Sequence, residues 1–204
     1  MSLRLPEGVT LYFARHGETE ANVEKRFSGY KDTPLTARGR AQAADLGAIL
    51  KRELGKAEGY AFVSSPLARA QATMRLARAA MGLPPDDFST DNRLLEIDLG
   101  TWDQLTDEEA RAQSPSRFAQ RGNDKWHVRV PGGENYAEVA ARVTDWVHEL
   151  KQGTIAISHG ATTRILRGLL TGLDWRAMSA LDEPQGVVFR VQGGQVVRLD
   201  PQDE

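Results

Sequence analysis

The run Val9-Thr10-Leu11-Tyr12-Phe13-Ala14 passes directly into Arg15-His16-Gly17-Glu18-Thr19-Glu20-Ala21-Asn22. Six mostly β-branched, aromatic and aliphatic residues read as a buried strand. The strand ends in a cation, an imidazole and a glycine. In an open α/β sheet the carboxyl ends of parallel strands are where ligands bind. Gly17 allows a sharp turn there and close approach of backbone N–H groups to a ligand. Arg15 offers a planar fork of donors suited to phosphate or carboxylate. His16 offers a nitrogen nucleophile, largely neutral near pH 7. The combination points to phosphate chemistry on a histidine.

Arg-His-Gly after a strand is by itself an ordinary loop; the second half of the chain changes its weight. Thr154-Ile155-Ala156-Ile157-Ser158 is another β-like run, and it too ends in a histidine and a glycine, His159-Gly160. Two of only four histidines thus occupy the same local position. If the two strands are neighbours in a parallel sheet, both imidazoles face one crevice.

At 204 residues the chain fits one large α/β domain with helices on both sides of a sheet. A net charge of −2, without a basic run, gives no sign of a nucleic-acid surface, so an anionic substrate needs a local cationic pocket. The absence of cysteine excludes thiol-based phosphatase chemistry, disulfides and Cys-ligated zinc. No apolar stretch is long enough to span a membrane, and Met1-Ser2-Leu3-Arg4-Leu5-Pro6 lacks the apolar segment of a secretory signal. The expected location is the cytoplasm. Neither a His-x-His nor a His-Glu-x-x-His pattern is present, and no metal or cofactor is expected. Oligomeric state is not legible.

Beyond the first site loop, Thr36 reads as the N-cap of an amphipathic helix to Leu54, with Leu46, Ile49 and Leu50 inward. Tyr60–Ser64 is a second buried strand, with Ser65-Pro66 as N-cap and first residue of a helix to about Met81. Arg69 in its first turn is at the wrong end for the helix dipole, which suggests that Arg69 and the helix terminus point at one bound anion. By pattern alone Glu96 is an acid in an extended or looped segment, where solvated surface is the ordinary reading. Asp107–Gln120 looks helical, and Arg121–Gly133, with Trp126, His127 and Arg129, is loop. The excursion over about 101–133 is too irregular for core and suits a lid. His127 and His148 read as surface. Val139, Val143, Trp146, Val147 and Leu150 form one helical stripe, Thr162–Leu170 a further helix, and 186–199 a terminal hairpin before a frayed tail.

Taken in order, Arg15-His16-Gly17-Glu18-Thr19 with Asn22, Arg26-Phe27-Ser28-Gly29, Ser64-Ser65-Pro66-Leu67 with Arg69, Glu96 ahead of Gly100 and Trp102, Pro131-Gly132-Gly133-Glu134, and Ser158-His159-Gly160 resemble the histidine phosphatase superfamily, the phosphoglycerate-mutase-like proteins. The resemblance runs over roughly Leu11 to Leu173. It implies a three-layer α/β/α sandwich with a largely parallel central sheet. It also implies that His16 is the phosphorylated nucleophile and Glu96 the proton donor, with Arg15, Arg69 and His159 binding the phosphoryl group and Asn22 as a further contact. Thr19, Ser28, Gly29 and Gly160 are the remaining candidates for substrate binding. Asp103-Gln104 stand where phosphatases of the family often carry Glu-Gly, and Ala161 where a second Gly is frequent. The stretch from Trp102 to Gly133 is too short for the insertion of the cofactor-dependent mutases, which favours hydrolysis of a small phosphorylated metabolite. A mutase, or a non-catalytic phosphate-binding module on the same scaffold, is the alternative.

Overall fold

A computed structural model describes residues 3–202; Met1, Ser2 and the last two residues of the expected tail lie outside them. Six strands form one sheet in the order β3-β2-β4-β1-β5-β6. β1 (Leu11–Arg15), β2 (Ala61–Ser64), β3 (Ser89–Thr90) and β4 (Thr154–Ser158) run parallel. β5 (Val188–Gln192) and β6 (Gln195–Leu199) complete the sheet antiparallel, as the terminal hairpin. The architecture is the expected α/β sandwich.

Residue alternation along the central strands divides the core in two. Tyr12, Ala14, Ile155 and Ile157 face α2 (Ala37–Leu54) and α3 (Ala68–Met81), packing on Leu46, Ile49, Leu50, Ala70 and Met74. Leu11, Phe13 and Ala156 face the other side, against Trp146 and Val147 of α6 (Tyr136–His148) and Leu166 and Leu170 of α7 (Gly160–Leu170). Phe13 stacks on Phe189 of β5 at 5.3 Å. α2 begins where expected, the Thr36 hydroxyl accepting from the Gly39 N–H at 2.9 Å, a cap worth about 1 kcal/mol. Short helices α1 (Glu20–Val23) and α8 (Trp175–Ser179), which no periodicity announced, stand on side-chain caps from Thr19 and Asp174.

Three expectations need correction. The helix expected over Asp107–Gln120 is two, α4 (Asp107–Gln113) and α5 (Pro115–Asn123), because Pro115 forces Ser114 out of the helical region (φ −147°). The excursion over 101–133 is not merely irregular covering. Trp102, Ala110 and Val130 are buried with Ile97, Val139, Val143 and Ile165 in a third apolar cluster, which loops can supply when aromatic side chains reach inward. Finally, α3 starts at Ala68 and Ser65 does not cap it. Asp32, from the distant first loop, accepts from the Ala68 N–H (2.7 Å) and the Arg69 N–H (3.3 Å) instead.

Candidate active site

β1 and β4 are adjacent and in register, Arg15 opposite Ser158, so their carboxyl ends deliver His16 and His159 side by side. The rings lie 5.1 Å apart, edge to face, and both are buried. His16 Nδ1 lies 2.7 Å from the Gly17 carbonyl, which can only accept. The proton is therefore on Nδ1, and Nε2 keeps its lone pair. Burial, reinforced by the Arg15 and Arg69 guanidinia, holds His16 well below the usual histidine range. The ring is therefore uncharged, with its lone pair on Nε2.

Arg69 comes from the first turn of α3, and its side chain is buried. Its Nε donates to His16 Nε2 at 3.3 Å, and its terminal nitrogens donate to the carbonyls of Ser28 (3.2 Å), Gly29 (2.6 Å) and Lys31 (3.2 Å) and to Asp32 (2.9 Å). Asp32 is thus an internal anion at the start of α3, paired with Arg69. Ser28 and Gly29 support Arg69 through their carbonyls. Asp103 supports them in turn, accepting from the Gly29 and Lys31 N–H groups at 2.8 and 2.9 Å.

His159 Nε2 lies 2.7 Å from Ser65 Oγ, which also accepts from the Leu67 N–H. Donation of the Ser65 hydroxyl proton to Nε2 satisfies both groups and places the His159 proton on Nδ1. That atom, Arg15 Nε and Ser28 Oγ are buried without a partner among the described residues. Burial and the neighbouring Arg69, His16 and Arg15 keep His159 neutral as well.

Glu96 is buried at the amino end of α7. Its Oε1 accepts from the Ile97 N–H (2.9 Å) and the Thr162 N–H (3.2 Å), and its Oε2 from the Ala161 N–H (3.3 Å). Burial, then the charge of Glu183, raise its pKa against the opposing pull of the Ile97 N–H, Arg69 and Arg15. A cavity of about 450 Å³ opens over Arg15, His16, Asn22, Ser28 and Glu96. Arg69 and His159 are not among its lining residues; they stand directly against His16, Arg69 by its hydrogen bond and His159 edge to face.

The other expected residues have specific tasks. Thr19 caps α1 in a reciprocal box with Asn22. The Asn22 carbonyl oxygen also accepts from Gln185 at 3.1 Å, which leaves its amide nitrogen for the cavity. Gly17 donates its N–H to Thr73 Oγ1 rather than to the cavity, and its Cα packs against the start of α2. Gly160 leaves space: a Cβ there would stand 2.6 Å from Glu183 Oε2 and 3.3 Å from Arg15 Cζ. His127 is exposed and bonded to Asp124, and Arg129 pairs with Glu138. Trp126 packs under the third cluster.

Sequence reasoning missed the far half of the cavity, which Phe27, Trp102, Phe118, Arg121, Lys125, Tyr136 and Arg164 line. Arg164 lies one turn below Gly160 on α7, a spacing that could have revealed it. Glu183 is in a loop and has no such signal.

The comparisons with known proteins agree with this fold. The model of the histidine phosphatase superfamily (branch 1) matches residues 11–196, and the chain belongs to that family. A protein of Salmonella paratyphi C named probable phosphoglycerate mutase GpmB is 33% identical over 168 residues, 80% of this chain and 75% of the relative. The alpha-ribazole phosphatase of Shigella flexneri superposes with a TM-score of 0.80 at 27% identity, covering 95% of this chain and 96% of that one. A mycobacterial glucosyl-3-phosphoglycerate phosphatase in complex with VO3 gives 0.71 at 28% identity, covering 95% and 99%.

Proposed function

We propose that the protein is a metal-independent phosphomonoesterase that hydrolyses a small phosphorylated metabolite through a phosphohistidine on His16. The observation that carries this reading is the set of unpartnered buried atoms around a neutral imidazole: Arg15 Nε, Ser28 Oγ and His159 Nδ1 want an acceptor, and His16 Nε2 presents a lone pair. A phosphoryl group meets both demands. Its equatorial charge falls to Arg15, Asn22 and the Nδ1–H of His159, with the Nε–H of Arg69 moving from His16 to a phosphoryl oxygen.

His16 Nε2 attacks phosphorus as the bond to the ester oxygen breaks, and Glu96 gives its proton to that oxygen. The same carboxylate then takes a proton from water. Water oxygen bonds to phosphorus, the phosphorus–nitrogen bond breaks, and Glu96 is again an acid while inorganic phosphate leaves. The lid helices α4 and α5 close the leaving-group side, and the cavity volume suits a metabolite rather than a folded macromolecule.

The test is incubation of the protein, in excess EDTA, with a ³²P-labelled phosphomonoester followed by alkaline quench. Acid-labile label that survives base and is absent in His16→Ala is the expected result; turnover by His16→Ala overturns the mechanism. The name of the Salmonella relative favours a mutase as the second reading. Phosphoglycerate isomerised faster than phosphate is released would establish it.

A further inference from the structure

Glu183 is in the loop between α8 and β5, far in sequence from every other site residue. Its main-chain carbonyl accepts from Arg15 NH1 at 2.8 Å, and its carboxylate lies 3.8 Å from the same nitrogen. The other carboxylate oxygen pairs with Arg164 NH2 at 3.1 Å, while Arg164 NH1 donates to the Tyr136 hydroxyl at 3.0 Å. Close approach to Gly160 puts the Glu183 carboxylate on the first turn of α7. Glu96 accepts from the next two N–H groups of that turn, those of Ala161 and Thr162. Two carboxylates, a buried one on Glu96 and a partly buried one on Glu183, therefore approach one helix end. Like charges so placed resist simultaneous ionisation.

We propose that Glu183 is a positioning residue for the transfer, holding Arg15 at the phosphoryl seat and leaving Glu96 in possession of its proton. Glu183 touches no reacting atom. Its carboxylate lies against two guanidinia, those of Arg15 and Arg164, and its nearness opposes a second negative charge on Glu96. The proposal rests on the phosphohistidine reading above. The groups that face Glu96 are Arg15 at the end of β1 and His16 just beyond it, Arg69 from α3, and Arg164 from α7. Tyr30 from the first loop, and Arg142 of α6 on the Glu96 carbonyl, complete the set. Those facing Glu183 are Arg15, Arg164, Lys125, Tyr136 and Glu96. Glu183 is the carboxylate among them that acts on Glu96, so its removal has a definite sign.

Glu183→Gln keeps the shape and the main-chain hold on Arg15 while deleting the charge. In single-turnover phosphorylation by an alkyl phosphate, the rate of the wild type falls at high pH as Glu96 loses its proton. In Glu183→Gln this falling limb should move down by about one pH unit. KM should fall too, since Arg15 no longer shares its charge with an internal anion. Glu183→Asp retains a carboxylate and should keep the limb near the wild-type position. A residue of merely structural importance would raise KM and lower the rate without moving the limb. An unmoved limb in folded Glu183→Gln overturns the proposal. If that variant does not fold, a limb shifted down in Glu183→Ser supports the proposal and an unmoved one overturns it. Wild-type phosphohistidine formation is measured first, so failure there removes the underlying mechanism, and failure only in the limb removes the role of Glu183.

Discussion

Arg69 Nε donates to His16 Nε2 at 3.3 Å, the ring nitrogen that carries the lone pair. The other guanidinium nitrogens of Arg69 are all engaged by Ser28, Gly29, Lys31 and Asp32. A side chain held on every edge cannot swing, so the orientation of His16 is set before any ligand arrives. On the phosphohistidine mechanism proposed above, that is preorganisation: a donor held at the reacting nitrogen by bonds completed during folding.

Glu96 should behave as an acid whose importance depends on the leaving group. Glu96→Gln keeps the size of the side chain and removes the proton, a change typically worth about 10²–10⁴-fold. Phosphorylation of His16 by an alkyl phosphate should slow by that order, while p-nitrophenyl phosphate, whose leaving group needs little protonation, should lose far less. Rapid-quench measurement of the phosphoenzyme separates this step from hydrolysis. Equal and near-wild-type rates for both esters would transfer the role to another group, Asp98 being the next to test.

Gly17 has a steric role that is independent of the chemistry. A Cβ at this position would lie 2.1 Å from the Gly39 carbonyl oxygen and 2.8 Å from its carbon, both backbone atoms of the first turn of α2. Neither can rotate away, so the helix or the His16 loop must move. Gly17→Ala should cost about 3 kcal/mol of stability by this overpacking. Urea unfolding checks it; a midpoint equal to the wild type would show that α2 yields freely.

Acidification should destabilise the fold beginning near neutrality. His16 and His159 are held neutral well below the ordinary histidine value of 6.5. As pH falls through that value the unfolded chain takes up protons that the native state refuses, so their contribution, present above it, is lost. Glu96 has the opposite sign: its raised pKa makes the native state bind the extra proton above the ordinary value of 4.5. Two histidines outweigh one carboxylate, and Tm should drop between about pH 7 and 5. Glu96→Gln, with the opposing group removed, should make the drop steeper. A Tm that holds or rises over this interval would contradict the neutral assignment of both rings.

Much of this protein is decided by order along the chain. The apolar runs through Leu11–Ala14 and Thr154–Ile157 read as buried strands, each followed by a histidine and a glycine. Once those strands are neighbours, His16 and His159 must meet. The anomaly of Arg69, a cation in the first turn of a helix, is also local and visible without coordinates. Which anion answers it is not. Asp32 reaches the start of α3 from the loop before α2, and Glu183 reaches Arg15 across nearly the whole chain. Glu96 is identical in pattern to a surface acid until α7 closes over it. Pairings at such separations depend on where packed helices and loops come to rest, and no periodicity encodes that. The sequence by itself determined the central strands, the histidines at their ends and the cation in the first turn of α3; tertiary packing alone raised the pKa of Glu96, because burial and the nearness of Glu183 exist only in the folded chain.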